Sequence, residues 1–183
     1  MKTVFLDRDG VINNDTGYVG KWDDFFFLPG VIGALDILTQ EGYRVIVVTN
    51  QSGIARGYYS EVDYLRLERK IDKYLRSINI FITATYYCPH HVDGSVKKYS
   101  INCDCRKPSP GMLIRASKDY NFDFSQATMI GDKNSDMQVA QSVGIPNRYF
   151  IDLSMSADEE SYKSSTIRFR SLLDSVKFLT KGC

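Results

Sequence analysis

The sequence predicts an α/β fold, a doubly wound and mostly parallel sheet formed by a single domain over 1–183. Three observations carry this. Val4-Phe5-Leu6, Val45-Ile46-Val47-Val48 and Ala127-Thr128-Met129-Ile130 are short apolar runs without alternation, as in strands covered on both faces. Segments with apolar residues at helical spacing separate them, so strand and helix alternate along the chain. Finally, each run empties into acids, hydroxyls, amides or cations, and the carboxyl edge of a parallel sheet is where such folds place their chemistry.

In chain order, Val4–Leu6 leads into Asp7-Arg8-Asp9-Gly10, two carboxylates at i and i+2 before a glycine breaks the strand pattern. Two acids on one turn repel each other unless a cation or a shared proton intervenes, which points to a divalent metal with one carboxylate free to attack. A polar loop, Asn14 to Tyr18, precedes an aromatic run from Trp22 to Phe27, read as packing. Val31, Ile32, Leu35 and Leu38 mark a helix that Gly42 closes. The next strand, Val45–Val48, ends in Thr49-Asn50-Gln51-Ser52-Gly53, a cluster able to hydrogen-bond an oxyanion. Ser60 reads as the N-cap of a long helix with Tyr64, Leu67, Ile71, Tyr74 and Ile78 inward and its charges solvated. Phe81 to Tyr87 reads as a third strand, delivering Cys88-Pro89-His90-His91 to the same edge. An irregular insertion, Val92 to Asn102, returns as Cys103-Asp104-Cys105-Arg106-Lys107-Pro108, and Pro110 starts a helix carrying Leu113, Ala116 and Tyr120. The strand Ala127–Ile130 runs into Gly131-Asp132-Lys133-Asn134-Ser135-Asp136 and a helix with Met137 and Ala140. Arg148 to Leu153 follows as a fifth strand, then a polar loop from Ser154 to Ser165 and a short edge strand, Ile167 to Phe169. Ser171 caps a last helix with Leu172, Leu173, Val176 and Leu179 inward.

With 183 residues, 43% hydrophobic and 25% charged, the chain is long enough to bury a core without disulfides. A net charge of +1 gives no footprint for nucleic acid. No run of 18 apolar residues and no signal peptide is visible, so no membrane partner and a cytoplasmic location are expected. A compact chain of this size reads as a monomer. Cys183 reads as an untethered terminal thiol.

The other three cysteines belong together. Cys88-x-His90 and Cys103-x-Cys105 bracket the irregular insertion and form a set suited to closed, tetrahedral zinc, with a zinc-binding loop at about 88–107. Four protein ligands leave no position for water, so the expected role is structural; His91 is the less favoured ligand. Arg106 and Lys107, held beside this knuckle, read as a phosphate clamp. Four strand ends thus offer Asp7 and Asp9, Thr49 and Asn50, Arg106 and Lys107, Asp132 and Asp136. Acids bind a hard cation such as Mg2+, cations and hydroxyls hold a phosphoryl group, and Asp7 attacks phosphorus.

Asp7-Arg8-Asp9-Gly10-Val11, Thr49-Asn50, Lys107 and Gly131-Asp132-Lys133-Asn134-Ser135-Asp136 resemble the four motifs of the haloacid dehalogenase superfamily of aspartate-nucleophile phosphatases. More narrowly, Asp15-Thr16-Gly17-Tyr18-Val19, the stretch from Thr49 to Gly57, Cys88-Pro89-His90-His91 and Cys103 to Pro108 resemble its heptose bisphosphate phosphatase family, from about Lys2 to Val143. The resemblance implies a Rossmann-like fold without a large cap domain, its pocket shaped by the zinc loop and by the Gly17 and Arg56 loops. It implies Mg2+ on the Asp7 carboxylate, the Asp9 backbone carbonyl and Asp132. Asp7 would form an aspartyl-phosphate, while Asp9 would serve as acid and then as base. Thr49 and Asn50 would hydrogen-bond the transferring phosphate; Thr49 and Lys107 would stabilise the transition state, with Asp136 in support. Arg106 would reach a second phosphate, Asp15, Thr16, Gly17, Tyr18, Gln51 and Ser52 would contact the sugar, and Lys133 would join them. The implied substrate is the phosphorylated sugar D-glycero-D-manno-heptose 1,7-bisphosphate, losing its 7-phosphate on the way to nucleotide-activated heptose for bacterial surface polysaccharide. The alternative is histidinol phosphate, on which related phosphatases act.

Overall fold

β1 (Thr3–Leu6) is buried along its whole length because a strand lies on each side of it and a layer of helices covers each face. The computed structural model describes residues 1–181, which leaves Cys183 outside them. The chain continues through α1 (Val31–Gln40), β2 (Arg44–Asn50), the one-turn α2 (Ser52–Ala55), α3 (Glu61–Ser77), β3 (Ala84–Cys88) and α4 (Gly111–Tyr120). It closes with β4 (Ala127–Gly131), α5 (Asn134–Ser142), β5 (Asn147–Ile151), the one-turn α6 (Glu159–Tyr162), β6 (Ile167–Phe169) and α7 (Leu172–Lys181). Among the described residues the sheet has six strands in the order β3-β2-β1-β4-β5-β6, every neighbouring pair parallel. The doubly wound parallel sheet expected from the sequence is therefore the fold.

Side chains alternate across β1, and the alternation separates two cores. Val4 and Leu6 pack with Val45, Val47, Leu35, Leu38, Leu67, Ile71 and Val176 on the face covered by α1, α3 and α7. Phe5 points the other way, with Ile46, Val48, Leu113, Ala116, Met129, Met137 and Ala140 against α4 and α5. Each such side chain contributes about 1.5–3 kcal/mol by leaving water. The order reverses across β1, between β2 and β4, and Leu6 pairs with both Val47 and Ile130. The carboxyl ends of β1, β2 and β4 therefore open one crevice.

Several boundaries differ from expectation. The buried face of α3 is Tyr64, Leu67, Ile71 and Leu75; Tyr74 is on the flank, packing against Trp22 and Phe27, and Ile78 is the C-cap. Not all the charges of α3 are solvated, since Glu68 turns inward to Arg8. β3 begins at Ala84, because the chain first turns through Asn79 at φ 60° and leaves Phe81 exposed beneath the Arg76 guanidinium. β5 ends at Ile151, leaving Leu153 exposed. The 154–165 segment is not all loop: Asp158 accepts from Ser161 N and caps α6. Ser60 caps α3 as expected, with Asp63 completing the reciprocal box. No helix among the described residues is long and apolar enough to cross a membrane.

Candidate active site

Asp7 leaves β1 at the crevice, where its backbone N–H still bonds to the Ile130 carbonyl of β4. Its carboxylate accepts from Arg8 N at 2.7 Å and lies 2.9 Å from the Lys107 ammonium. Lys107 also lies 2.6 Å from Asp136 Oδ1 and donates to the Val48 carbonyl at 2.7 Å, so one buried cation ties together the chain just beyond β1, the strand β2 and the first turn of α5. Burial works against its charge, but Asp136 and Asp7 outweigh it and hold the ammonium protonated. Asp7 nevertheless has its pKa raised to about 6, by burial first and then by Asp136. Asp132 is pushed further, to about 8, by burial and by the Asp7 charge.

Carboxylate oxygens of Asp7, Asp132 and Asp136 lie within 4.8 Å of one another, and Asp132 Oδ1 is buried without a hydrogen-bond partner. An orphaned carboxyl oxygen among acids that repel one another when ionised fits a divalent cation. Gly10 at φ 86° makes room for this, since a Cβ there would sit 2.1 Å from Asp132 Oδ2. The Asp9 carboxylate is not in this group. It turns aside to accept from Arg8 Nη2 at 2.7 Å, Asn13 Nδ2 at 3.0 Å and Gln51 Nε2 at 2.8 Å. Against burial, these donors keep it below the usual carboxylate range.

The remaining expected residues fall into two sets. A cavity of about 500 Å3 brings together Asp9, Asp15, Gly17, Tyr18, Asn50, Gln51, Ser52, Arg106, Lys107 and Lys133, and adds Tyr59 and Ser135. Lys133 Nζ donates to Asp15 Oδ2 at 3.1 Å across it. Thr16 and Thr49 are off its wall, Thr16 exposed and Thr49 buried beneath with its hydroxyl accepting from Gln51 Nε2 at 2.9 Å. The Asn50 amide is occupied at both ends, accepting from Lys107 N at 3.0 Å and donating to the Lys107 carbonyl at 3.1 Å, so it fastens the loop that carries the lysine.

At the end of β3, Cys88, His90, Cys103 and Cys105 converge as a second ligand group. The three sulfurs are 3.1–3.5 Å apart, His90 Nδ1 is 3.3 Å from Cys105 Sγ and 3.8 Å from Cys88 Sγ, and all three cysteines are free. Ligands about 2.3 Å from a tetrahedral zinc lie at comparable separations. His91 faces Arg56 instead, 3.2 Å from its guanidinium. Arg106 follows this knuckle and donates to the His90 carbonyl at 3.3 Å.

Sequence reasoning missed the support around Asp9. Arg8, with its side chain 2% exposed, bridges Asp9 at 2.7 Å and Glu68 at 3.1 Å, and its guanidinium lies over the Tyr64 ring. The available signal was Glu68 itself, a charge one helical turn from Tyr64 in an apolar stripe.

Comparison with known proteins agrees with this architecture. The family model described as "Polynucleotide kinase 3 phosphatase" matches residues 4–178. A D-glycero-beta-D-manno-heptose-1,7-bisphosphate 7-phosphatase of Photorhabdus laumondii is 42% identical over 174 residues, covering 95% of this chain and 93% of that protein. The protein of the same name from Escherichia coli K12 is 39% identical over 178 residues, 97% of this chain and 93% of its own. Among crystal structures, the D,D-heptose 1.7-bisphosphate phosphatase from B. bronchiseptica complexed with magnesium and phosphate superposes with a TM-score of 0.85 at 28% identity over 100% of both chains. A putative HAD-like phosphatase from Mesorhizobium loti superposes with a TM-score of 0.83 at 30% identity, covering 98% of this chain and 87% of that one. Identity of about two residues in five, sustained along almost the whole of both chains, means that this chain belongs to the D-glycero-beta-D-manno-heptose-1,7-bisphosphate 7-phosphatase family of haloacid dehalogenase-like phosphatases.

Proposed function

We propose that the chain is a Mg2+-dependent phosphatase that removes the 7-phosphate of D-glycero-β-D-manno-heptose 1,7-bisphosphate and releases heptose 1-phosphate. The observation that carries this reading is the junction of a buried carboxylate, Asp7, with the fixed ammonium of Lys107 at a cavity whose wall holds two further cations, Arg106 and Lys133. The names of its relatives supply the sugar and the anomer.

Asp7 attacks the 7-phosphorus in line and becomes an aspartyl-phosphate, while Asp9, which takes up a proton as the anionic phosphate seats beside its carboxylate, gives that proton to the departing sugar oxygen. Asp9 then takes a proton from the water that attacks the same phosphorus and releases Asp7. Lys107, held by Asp136 and by the Asn50-fastened loop, stays beside the phosphoryl oxygens where negative charge develops. Thr49, beneath the cavity wall, supports the same phosphoryl group. The Asp7 carboxylate, the Asp9 backbone carbonyl and Asp132 would hold Mg2+, which when bound neutralises phosphoryl charge as a Lewis acid. Cys88, His90, Cys103 and Cys105 would hold zinc, fixing the loop that presents Arg106.

Arg106 also weighs against histidinol phosphate. Among the described residues its guanidinium faces no carboxylate and donates to a backbone carbonyl, so it suits a second anion, which the bisphosphate has. Histidinol phosphate offers an ammonium instead.

The test is phosphate release with Mg2+, comparing kcat/KM on the β anomer, the α anomer and histidinol phosphate, with the product identified by phosphorus NMR. The expected result is at least a tenfold preference for the β bisphosphate with the 1-phosphate retained. Preference for the α anomer would reassign the substrate; turnover of histidinol phosphate alone would overturn the reading.

A further inference from the structure

The contact that orients Asp9 is itself oriented from outside the motifs. Gln51 Nε2 donates to Asp9 Oδ2 at 2.8 Å and to Thr49 Oγ1 at 2.9 Å, while Gln51 Oε1 accepts from the Tyr59 hydroxyl at 2.6 Å. A side-chain amide is nearly symmetric in shape, so a half-turn exchanges its oxygen and its NH2 at little steric cost. Turned over, Gln51 would set a carbonyl lone pair against the Asp9 carboxylate and lose the bond donated to it, whereas the hydroxyls of Thr49 and Tyr59 can each donate or accept. Asp9, which only accepts, keeps the NH2 turned towards itself, and the hydroxyl of Tyr59, donating to Oε1 at 2.6 Å, holds the other end of the amide and so fixes where that NH2 points. Burial raises the pKa of that phenol, so it remains a donor across the range in which a phosphatase is assayed.

Tyr59 has little freedom to do otherwise. It is 8% exposed, and its ring lies between two glycines. A Cβ on Gly20 would sit 2.3 Å from ring atoms Cγ and Cδ1, and one on Gly53 would sit 2.4 Å from Cε1. The slot admits the ring because both walls lack side chains. Arg8 and Asn13 hold the other carboxylate oxygen of Asp9, so among the described residues Gln51 is the donor that fixes Oδ2.

From this geometry we infer that Tyr59 is a positioning residue of the reaction, aiming Asp9 through the amide of Gln51. The inference rests on the reading of Asp9 as the acid that protonates the leaving oxygen. Its sharpest consequence concerns the leaving group. kcat/KM covers steps up to the irreversible loss of that group, so a misaimed acid matters for an alkoxide that needs a proton and far less for nitrophenolate, which departs without one.

The experiment is Tyr59→Phe, which keeps the ring in its slot, measured on the heptose bisphosphate and on 4-nitrophenyl phosphate, together with Gln51→Ala and the double variant. In Tyr59→Phe, kcat/KM on the sugar phosphate should fall about tenfold, and the loss on the nitrophenyl ester should be at least fivefold smaller. Added to Gln51→Ala, the same change should cost less than twofold, because no amide is left to orient. Equal losses on both esters, or undiminished loss in the Gln51→Ala background, would show that Tyr59 merely packs. Wild-type protein inactive on both esters would overturn the phosphatase reading and this inference with it; active wild type with an unaffected Tyr59→Phe variant would overturn this inference alone.

Discussion

Lys107 and Asp7 face each other at 2.9 Å, yet their replacement should have opposite consequences for stability. Lys107, with its side chain 1% exposed, is the cation that Asp7 and Asp136 share, and its loss strands two buried charges. Breaking such a pair costs about 3–5 kcal/mol. Lys107→Met should therefore lower the melting temperature markedly as well as abolish turnover. Asp7→Asn removes one of three crowded acids while keeping the side chain's shape, so turnover should vanish with the melting temperature unchanged or raised. Phosphate release and thermal melts on the two variants check both, and measurable turnover in Asp7→Asn would put the nucleophile elsewhere. The acids at Asp7 and Asp132 were legible because paired carboxylates at strand ends need a reason to be there. The protein partners of Asn50 and Gln51 were not: an amide can serve ligand or protein equally, and in the fold Asn50 bonds to the Lys107 backbone and Gln51 to Asp9.

Two elements carry tests of their own. The 88–107 loop has little regular structure, and its four metal-type ligands meet at one point, so order there should depend on zinc. Cys103→Ser should lower zinc content and melting temperature together, and weaken binding of the substrate's second phosphate through Arg106. Normal zinc and normal melting would refute the knuckle. By contrast, α3 is anchored by the Ser60–Asp63 capping box, and Ser60→Ala should cost about 1 kcal/mol, or about 2–4 °C in a chain of this size, with kcat unchanged. Scanning calorimetry beside a turnover assay measures this, and a melting temperature unmoved by Ser60→Ala would count against it. The cap was readable from residue type and spacing. The partner of Glu68 was not: its place beside the apolar stripe of α3 marks it as an inward charge, but the cation it meets, Arg8, comes from just beyond β1, 60 residues away. The Phe81-Ile82-Thr83 stretch misled for a related reason: its β-branched and aromatic residues have strand character, but pairing with β2 starts only at Ala84.

At the scale of the whole molecule, the sheet order collects the acids of two distant segments into one crevice, and this juxtaposition makes stability depend on pH and Mg2+ together. Burial and mutual repulsion raise Asp7 from 3.8 to about 6 and Asp132 from 3.8 to about 8. An acid whose pKa is raised on folding keeps a proton that the unfolded chain has already lost. Between about pH 4 and 8 the unfolded state thus binds fewer protons than the native state through these two groups, and their contribution to stability falls as pH rises. Magnesium competes with those protons for the same oxygens, so it should raise the melting temperature more at pH 8 than at pH 5. Asp132→Asn removes the more strongly shifted group. Compared with wild type, it should be stabilised in Mg2+-free buffer at pH 8, lose most of its dependence on pH between 6 and 8, and gain little from added Mg2+. The measurement is a set of melts in zinc-retaining, Mg2+-depleted buffer from pH 5 to 8, with and without millimolar Mg2+. Chelators are avoided, because they would strip the zinc loop and lower stability by a separate route. Taking the difference between wild type and Asp132→Asn cancels whatever the thiol ligands and the other carboxylates add. Equal Mg2+ responses in the two proteins would remove Asp132 from the metal site, whereas a response confined to wild type and growing with pH would tie the crowding of the acids to Mg2+ binding.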